Sequence, residues 1–259
     1  MPKDNKIHKT YIGITGFMDR DEVGIVLEMM PRSSKKLLMV GVLVNDKTIQ
    51  CLDTRGGRHP NIKKINNIFV SHPLVLNMIH FHTKDIDTLC DQLIKLTELG
   101  GPNLHGFQFN MAWPPVDEIQ KYRIKFPNHA TVLTIDGRAL NLVENSSQLL
   151  VSKISEYKGL IDYILLDKSC GYGIPLDVEF MRKYINILYT IDFVADSSVK
   201  IVIAGGLNAK VLETIEQLIK DFPDLSIDAE NNLRNNDDSL NLRLTQDYLY
   251  RALQMFGEI

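Results

Sequence analysis

Short apolar runs of strand type alternate with longer amphipathic stretches from one end of the chain to the other, and nothing else in the sequence constrains the fold as strongly. The runs are Tyr11–Thr15, Lys36–Val44, Leu76–His82, Gly106–Asn110, Thr131–Asp136, Tyr163–Asp167, Lys200–Ala204 and Leu225–Asp228. Most are apolar at nearly every position, the pattern of parallel strands buried on both faces. Parallel neighbours need crossovers, and the intervening segments read as helices. Leu89, Leu93, Ile94, Leu96 and Leu99 share one helix face, and Gly100-Gly101-Pro102 ends that helix. Val178–Leu188, Val211–Ile219 and Leu244–Phe256 repeat the pattern, with a shorter helix over Asp21–Met29. Eight strand–helix units in 259 residues give a pitch of about 32, which fits a single (β/α)8 TIM barrel better than an open doubly wound sheet. One domain over residues 1–259 is expected. Two long polar segments stand out: Asp46–Pro60, and Glu230–Asn241, which is either a solvated loop or part of a ligand pocket.

Charge and cysteine usage narrow the partners. With 29 Lys and Arg against 32 Asp and Glu, and no dense basic block, the chain lacks the phosphate attraction that nucleic-acid or polybasic membrane binding needs. The longest apolar run, Leu37–Val44, is far short of the about 20 residues that cross a bilayer. Cys51, Cys90 and Cys170 are widely separated, which suggests neither a disulfide framework nor a thiolate zinc cage and fits a reducing cytoplasm. Met1–Thr10 is polar and basic, without the apolar core of a signal peptide. Asn145-Ser146-Ser147 matches a glycosylation acceptor but reads as a helix start.

Barrel active sites are built where strands end, so the residues after each run are the ones to examine. The seventh run leads into Gly205-Gly206-Leu207-Asn208, where paired glycines let backbone N–H groups approach an anion at a helix start; a tight turn asks for the same residues. The eighth leads into Ala229-Glu230-Asn231-Asn232, whose small and amide residues, Ala229, Asn231 and Asn232, suit the other half of a phosphate cup, with Asp228 orienting the loop. The sixth ends in Asp167, a carboxyl desolvated by its apolar strand and suited to acid–base work, or else an Asp paired with Lys168. Gly171 and Gly173 behind it suggest a lid.

Taken together, Leu165-Leu166-Asp167, the Gly171-x-Gly173 segment with Asp177, Gly205-Gly206-Leu207-Asn208, Ile227-Asp228 and Gln108 in Gly106–Asn110 resemble the phosphoribosylanthranilate isomerase family of tryptophan biosynthesis. The resemblance implies an aldose–ketose (Amadori) isomerisation of a phosphorylated sugar derivative. It makes Asp167 the general acid, and it places substrate on Arg58, Gln108, Gly171 and Gly173. It seats the phosphate on Gly205, Gly206, Asn208, Ala229 and Asn231. The expected partner is a phosphorylated small molecule, with no cofactor, and the chain is expected to be a monomer or homodimer.

Two departures from the family matter. Its first strand carries the catalytic base, a cysteine, where this chain has Thr15, whose hydroxyl is too weakly acidic to serve without strong activation. The family's Ser-Gly-Val-Glu-like segment after the last strand is replaced by Glu230-Asn231-Asn232-Leu233-Arg234. A substitute base has to be sought. Cys170 lies in the loop after the sixth strand, and His80 and His82, two apart, share one strand face. If that face is inward, His82 can serve as base, or both can ligate a metal with Asp136 or Asp167. Trp113-Pro114-Pro115 reads as the floor of an aromatic pocket or as a rigid turn, and Asp53 and Arg55 read as solvated. Besides the isomerase, two further functions stay open: a diverged phosphate-ligand-binding barrel without catalysis, and a metal-assisted enzyme using His80 and His82.

Overall fold

The computed structural model describes residues 9–50, 57–167 and 176–259. Eight parallel strands pair in chain order and close, the first against the last. They are β1 (Tyr11–Thr15), β2 (Leu37–Asn45), β3 (Val75–His82), β4 (Gly106–Phe109), β5 (Ala130–Asp136), β6 (Tyr163–Asp167), β7 (Lys200–Ala204) and β8 (Ser226–Ala229). Each overlaps the run expected from sequence. This is a (β/α)8 TIM barrel.

Around it lie α1 (Arg20–Leu27), α2 (Asp46–Ile49), α3 (Leu89–Gly100), α4 (Val116–Lys125), α5 (Gly137–Leu142), α6 (Ser147–Ser155), α7 (Val178–Leu188), α8 (Asp192–Ala195), α9 (Ala209–Asp221) and α10 (Leu242–Met255). The starts follow capping chemistry: Asp19, Ser146, Asp177, Asn208 and Asn241 each accept a hydrogen bond from an N–H of the first turn. Asn145-Ser146-Ser147 is therefore a helix start.

The β2–β3 connection departs from the expected pattern. Asp46–Pro60 is not wholly a loop, because Asn45 and Thr48 form a capping box that winds α2. Nearer β3 the chain winds into a 3₁₀ stretch, Ile62–Asn67, in place of a full α-helix. Ile62, Ile65 and Ile68 recur every third residue and are all buried, and three residues per turn is the 3₁₀ period.

Two apolar layers fill the molecule. Between sheet and helices lies the larger, with Ile12, Val40, Phe81, Leu166, Leu212 and Leu249 fully or almost fully buried. Inside the barrel Tyr11, Met39, Met78, Val132, Tyr163, Leu165 and Val202 form a smaller one. Strand alternation then puts Thr15, His80, Gln108, Thr134, Asp136, Asp167 and Asp228 on the same inward face, nearer the C-terminal ends. The barrel is apolar at its waist and polar at its mouth. Among the described residues no helix is long and apolar enough to cross a membrane.

Candidate functional site

A cavity of about 120 Å³ opens at the C-terminal mouth. Gln108 and Asn110 of β4 and its turn, Thr134, Asp136 and Arg138 around the end of β5, Leu165 and Asp167 of β6, Ala204, Gly205 and Gly206 after β7, and Asp228, Glu230 and Asn231 after β8 enclose it. The turns leaving the last two strands both line it.

Gly205 and Gly206 take φ of 104° and 65°, a region that penalises any side chain, so glycine here is a backbone requirement. Asn232 Nδ2 donates to the Gly206 carbonyl at 2.6 Å, which ties the two turns together. Asn208 uses its side-chain oxygen to cap α9 on the Val211 N–H at 2.9 Å, and it does not line the cavity. Ala229 is a buried strand residue paired with Ile14 and does not line it either. Asn231 does, and it accepts from Arg58 Nη2 at 2.9 Å.

Arg58 is strongly engaged within the protein. Its Nε and Nη2 meet the two Asp238 carboxylate oxygens at 2.8 and 2.9 Å, and its Nη1 meets Glu230 at 3.1 Å. That bidentate fork is the geometry a substrate carboxylate would need, and Asp238 occupies it. Glu230–Asn241 is accordingly an ordered strap whose Leu233 and Leu240 are buried. Arg234 lies beneath it with its side chain 3% exposed, near Glu230 at 3.6 Å. Its guanidinium fills the space over Gly16, at φ 122°, where a Cβ would collide with it.

Thr15 is sealed inside the barrel. Its hydroxyl donates to Asp228 Oδ1 at 3.2 Å and lies 3.3 Å from His80 Nδ1, all three groups being buried. Gly41 leaves room for this trio, since a Cβ there would overlap Thr15 Oγ1 and stand 3.0 Å from His80 Nε2. Burial pulls the His80 pKa down to about 3, so the ring is neutral. Burial, and then the nearby Glu230 carboxyl, holds Asp228 well above the carboxylate range, with the Thr15 hydrogen bond opposing. Burial raises Glu230 too, against the pull of Arg234 and Arg58.

The two histidines do face inward but part company. His82 is half-buried at the rim, its Nδ1 2.8 Å from the Asn110 carbonyl oxygen, and it does not line the cavity. Among the described residues no three His, Cys, Asp or Glu side chains are grouped as a metal would need. Trp113 is the turn rather than a pocket floor: its Nε1 donates to the Ala139 carbonyl at 2.9 Å and its ring lies against Tyr157. Cys51, Asp53, Arg55, Lys168, Cys170, Gly171 and Gly173 fall outside the described residues.

Sequence reasoning missed Thr134 and Asn110 and gave Glu230 no role of its own. The signal was present in the two-residue spacing: Thr134 precedes Asp136, Asn110 follows Gln108 and Glu230 follows Asp228, each pair on one side of its strand line.

Known proteins bear on this geometry through their fold. No protein-family profile and no curated protein matches the chain. Among solved structures, phosphoribosyl anthranilate isomerase from Thermus thermophilus aligns over 95% of this chain and 99% of its own, with TM-score 0.63 at 12% identity. The enzyme of the same name from Thermotoga maritima aligns over the same shares, with TM-score 0.59 at 14% identity. The likeness is one of fold. The catalytic domain of a chitinase from Pyrococcus furiosus, at 10% identity and covering 99% of both chains, reaches 0.58, so the shared barrel by itself selects no chemistry.

Proposed function

We propose that this barrel is a diverged relative of the phosphoribosylanthranilate isomerases that binds a phosphorylated sugar derivative at its mouth. The phosphate sits on the Gly205–Gly206 turn with Asn231 opposite, the sugar hydroxyls meet Gln108 and Asn110, and Asp167 is the general acid of an aldose–ketose isomerisation. One observation carries this reading: a single cavity joins the ends of β6, β7 and β8 and is lined by Asp167, Gly205, Gly206 and Asn231 together. The backbone geometry of the paired glycines and the start of α9 behind them supply an anion-binding turn.

A second reading, a barrel that binds the same ligand without turning it over, is favoured by the enclosure of Thr15, which neither lines the cavity nor is exposed. Melting curves with ribose 5-phosphate, ribose and inorganic phosphate test the binding. Stabilisation by the phosphorylated compounds alone supports it, and indifference to phosphate refutes it. A fluorescence assay with freshly made phosphoribosylanthranilate tests the chemistry. Turnover that falls about 10²-fold in Asp167→Asn supports the isomerase, whereas binding without turnover selects the second reading.

A further inference from the structure

Two buried polar side chains of the cavity are left unmet. Gln108 and Thr134 are 5% and 7% exposed and both line it, yet Gln108 Oε1 and Thr134 Oγ1 meet no partner among the described residues. The Gln108 amide nitrogen donates to Asn110 Oδ1 at 3.1 Å, so its oxygen is the group left to be satisfied. The two residues are neighbours on one wall. Gln108 of β4 pairs with Val132 of β5, so Thr134 is the next residue along the same inward row. Strand spacing and rise set their Cα atoms about 8 Å apart, within the span of one small sugar.

The group that fits this wall is neutral. Asp136, the next inward residue of β5, is already engaged: its Oδ1 accepts from the Ala139 N–H at 2.9 Å and its Oδ2 from Arg138 Nε at 2.8 Å. Glu230 is paired with Arg58, and burial favours the uncharged form of Asp228. A sugar hydroxyl donates and accepts at once, so it can answer an amide and a threonine hydroxyl together. Position selects which hydroxyl. In strand order β6 alone separates β5 from β7, so the Thr134 row stands about 10 Å along the sheet from the Gly205–Gly206 turn, two strand spacings away. With a sugar's phosphate on that turn, the hydroxyls that reach Thr134 are those near its carbonyl carbon.

We infer that Gln108 and Thr134 read the hydroxyl on the carbon beside the carbonyl carbon, so that the ligand is a 2-hydroxy sugar phosphate and not its 2-deoxy counterpart. The inference rests on the reading that the mouth seats a phosphate at Gly205–Gly206, and it adds Thr134 as the residue that sets specificity at the other end. An aldose–ketose isomerisation needs this hydroxyl: C2 gives up its hydrogen to C1, the C2 oxygen gives up its proton to the group on C1, and the ketone is left at C2.

Isothermal titration calorimetry of the whole chain with ribose 5-phosphate, 2-deoxyribose 5-phosphate, ribose, 2-deoxyribose and inorganic phosphate tests the inference. Ribose 5-phosphate is expected to bind at least about tenfold tighter than its deoxy counterpart, because buried groups built to bond a hydroxyl reject a ligand that lacks it. In Thr134→Val, which has nearly the same shape, that preference should shrink to within about threefold. Thr134→Ser keeps the oxygen and should keep the preference, with circular dichroism and melting curves confirming that each variant is folded. Equal binding of the two sugar phosphates, a preference untouched by Thr134→Val, or binding of no sugar at all overturns the inference. A response to inorganic phosphate alone keeps the phosphate seat and removes the hydroxyl wall. Ribose preferred over 2-deoxyribose, with no gain from the 5-phosphate and no response to inorganic phosphate, removes the seat and keeps the wall.

Discussion

Replacing Thr15 with valine removes one oxygen and nothing else of consequence, because valine has almost the same shape. In the native barrel that oxygen donates to Asp228 Oδ1 at 3.2 Å and lies 3.3 Å from His80 Nδ1. All three residues are at most 5% exposed, and neither Thr15 nor His80 lines the cavity. Each buried polar group left without a partner costs about 1–3 kcal/mol, and both contacts are toward the long end of hydrogen-bond range, so the lower half of that range applies. Two groups then give roughly 2–4 kcal/mol. For a chain of this size about 1 kcal/mol moves the melting temperature by roughly 2 °C, so Thr15→Val should melt about 4–8 °C lower. Thr15→Ser keeps the hydroxyl and loses one buried methyl, a cost of about 1 kcal/mol or roughly 2 °C. Urea unfolding and calorimetric melts of the three proteins at pH 7 decide the matter. A valine variant as stable as the serine variant would refute the argument that this hydroxyl satisfies the polar interior of the barrel.

The same interior makes stability depend on pH in two opposed ways. His80, neutral when folded with its pKa near 3, lets the unfolded chain bind a proton below about pH 6.5; stability therefore falls toward acid by up to roughly 1.4 kcal/mol per pH unit. Asp228, held above the carboxylate range, keeps when folded a proton that the unfolded chain loses above about pH 4; its contribution is full below that pH and is lost as pH rises through the raised value. Above about pH 4 the two act in opposite directions, so urea titrations of Asp228→Asn should show stability falling toward acid and those of His80→Asn should show it rising; two parallel profiles would contradict this. Gly41→Ala should cost about 1–3 kcal/mol, because its Cβ would overlap Thr15 Oγ1, and an unchanged denaturation midpoint would show that the trio relaxes freely. Arg58→Lys keeps the charge but loses the two-point contact with Asp238, so amide exchange within 230–241 should quicken while the barrel strands keep their protection.

Local sequence carried the architecture. Continuous apolar runs bounded by turn residues marked all eight strands to within one or two residues, since a strand buried on both faces needs apolar residues throughout. Helix starts were legible at Ser146 and Asn208 because capping is a contact between neighbours three residues apart. The 3₁₀ stretch Ile62–Asn67 was written in its three-residue period but reads as loop to a search for 3.6. Asp167, Gly205, Gly206 and Asn231 were singled out by position at the end of a strand and Gln108 by the family resemblance, and all line one cavity.

Partnership was decided elsewhere. Thr15 and Asp228 are 213 residues apart, and Arg58 and Asp238 are 180 apart, so neither contact leaves a periodic trace in the chain. The closure of β1 on β8, pairing Gly13 with Asp228 and Ile14 with Ala229, brings Asp228 to Thr15 and turns a would-be base into a buried donor. The strap after β8 takes Arg58 for its own carboxylate, and inward alternation from five strands and their turns gathers acceptors and acids into one space. Strands and turns follow from the neighbours a residue has in sequence, whereas the charge and hydrogen-bonding balance of the mouth follows from the ring, which sets far-separated side chains face to face.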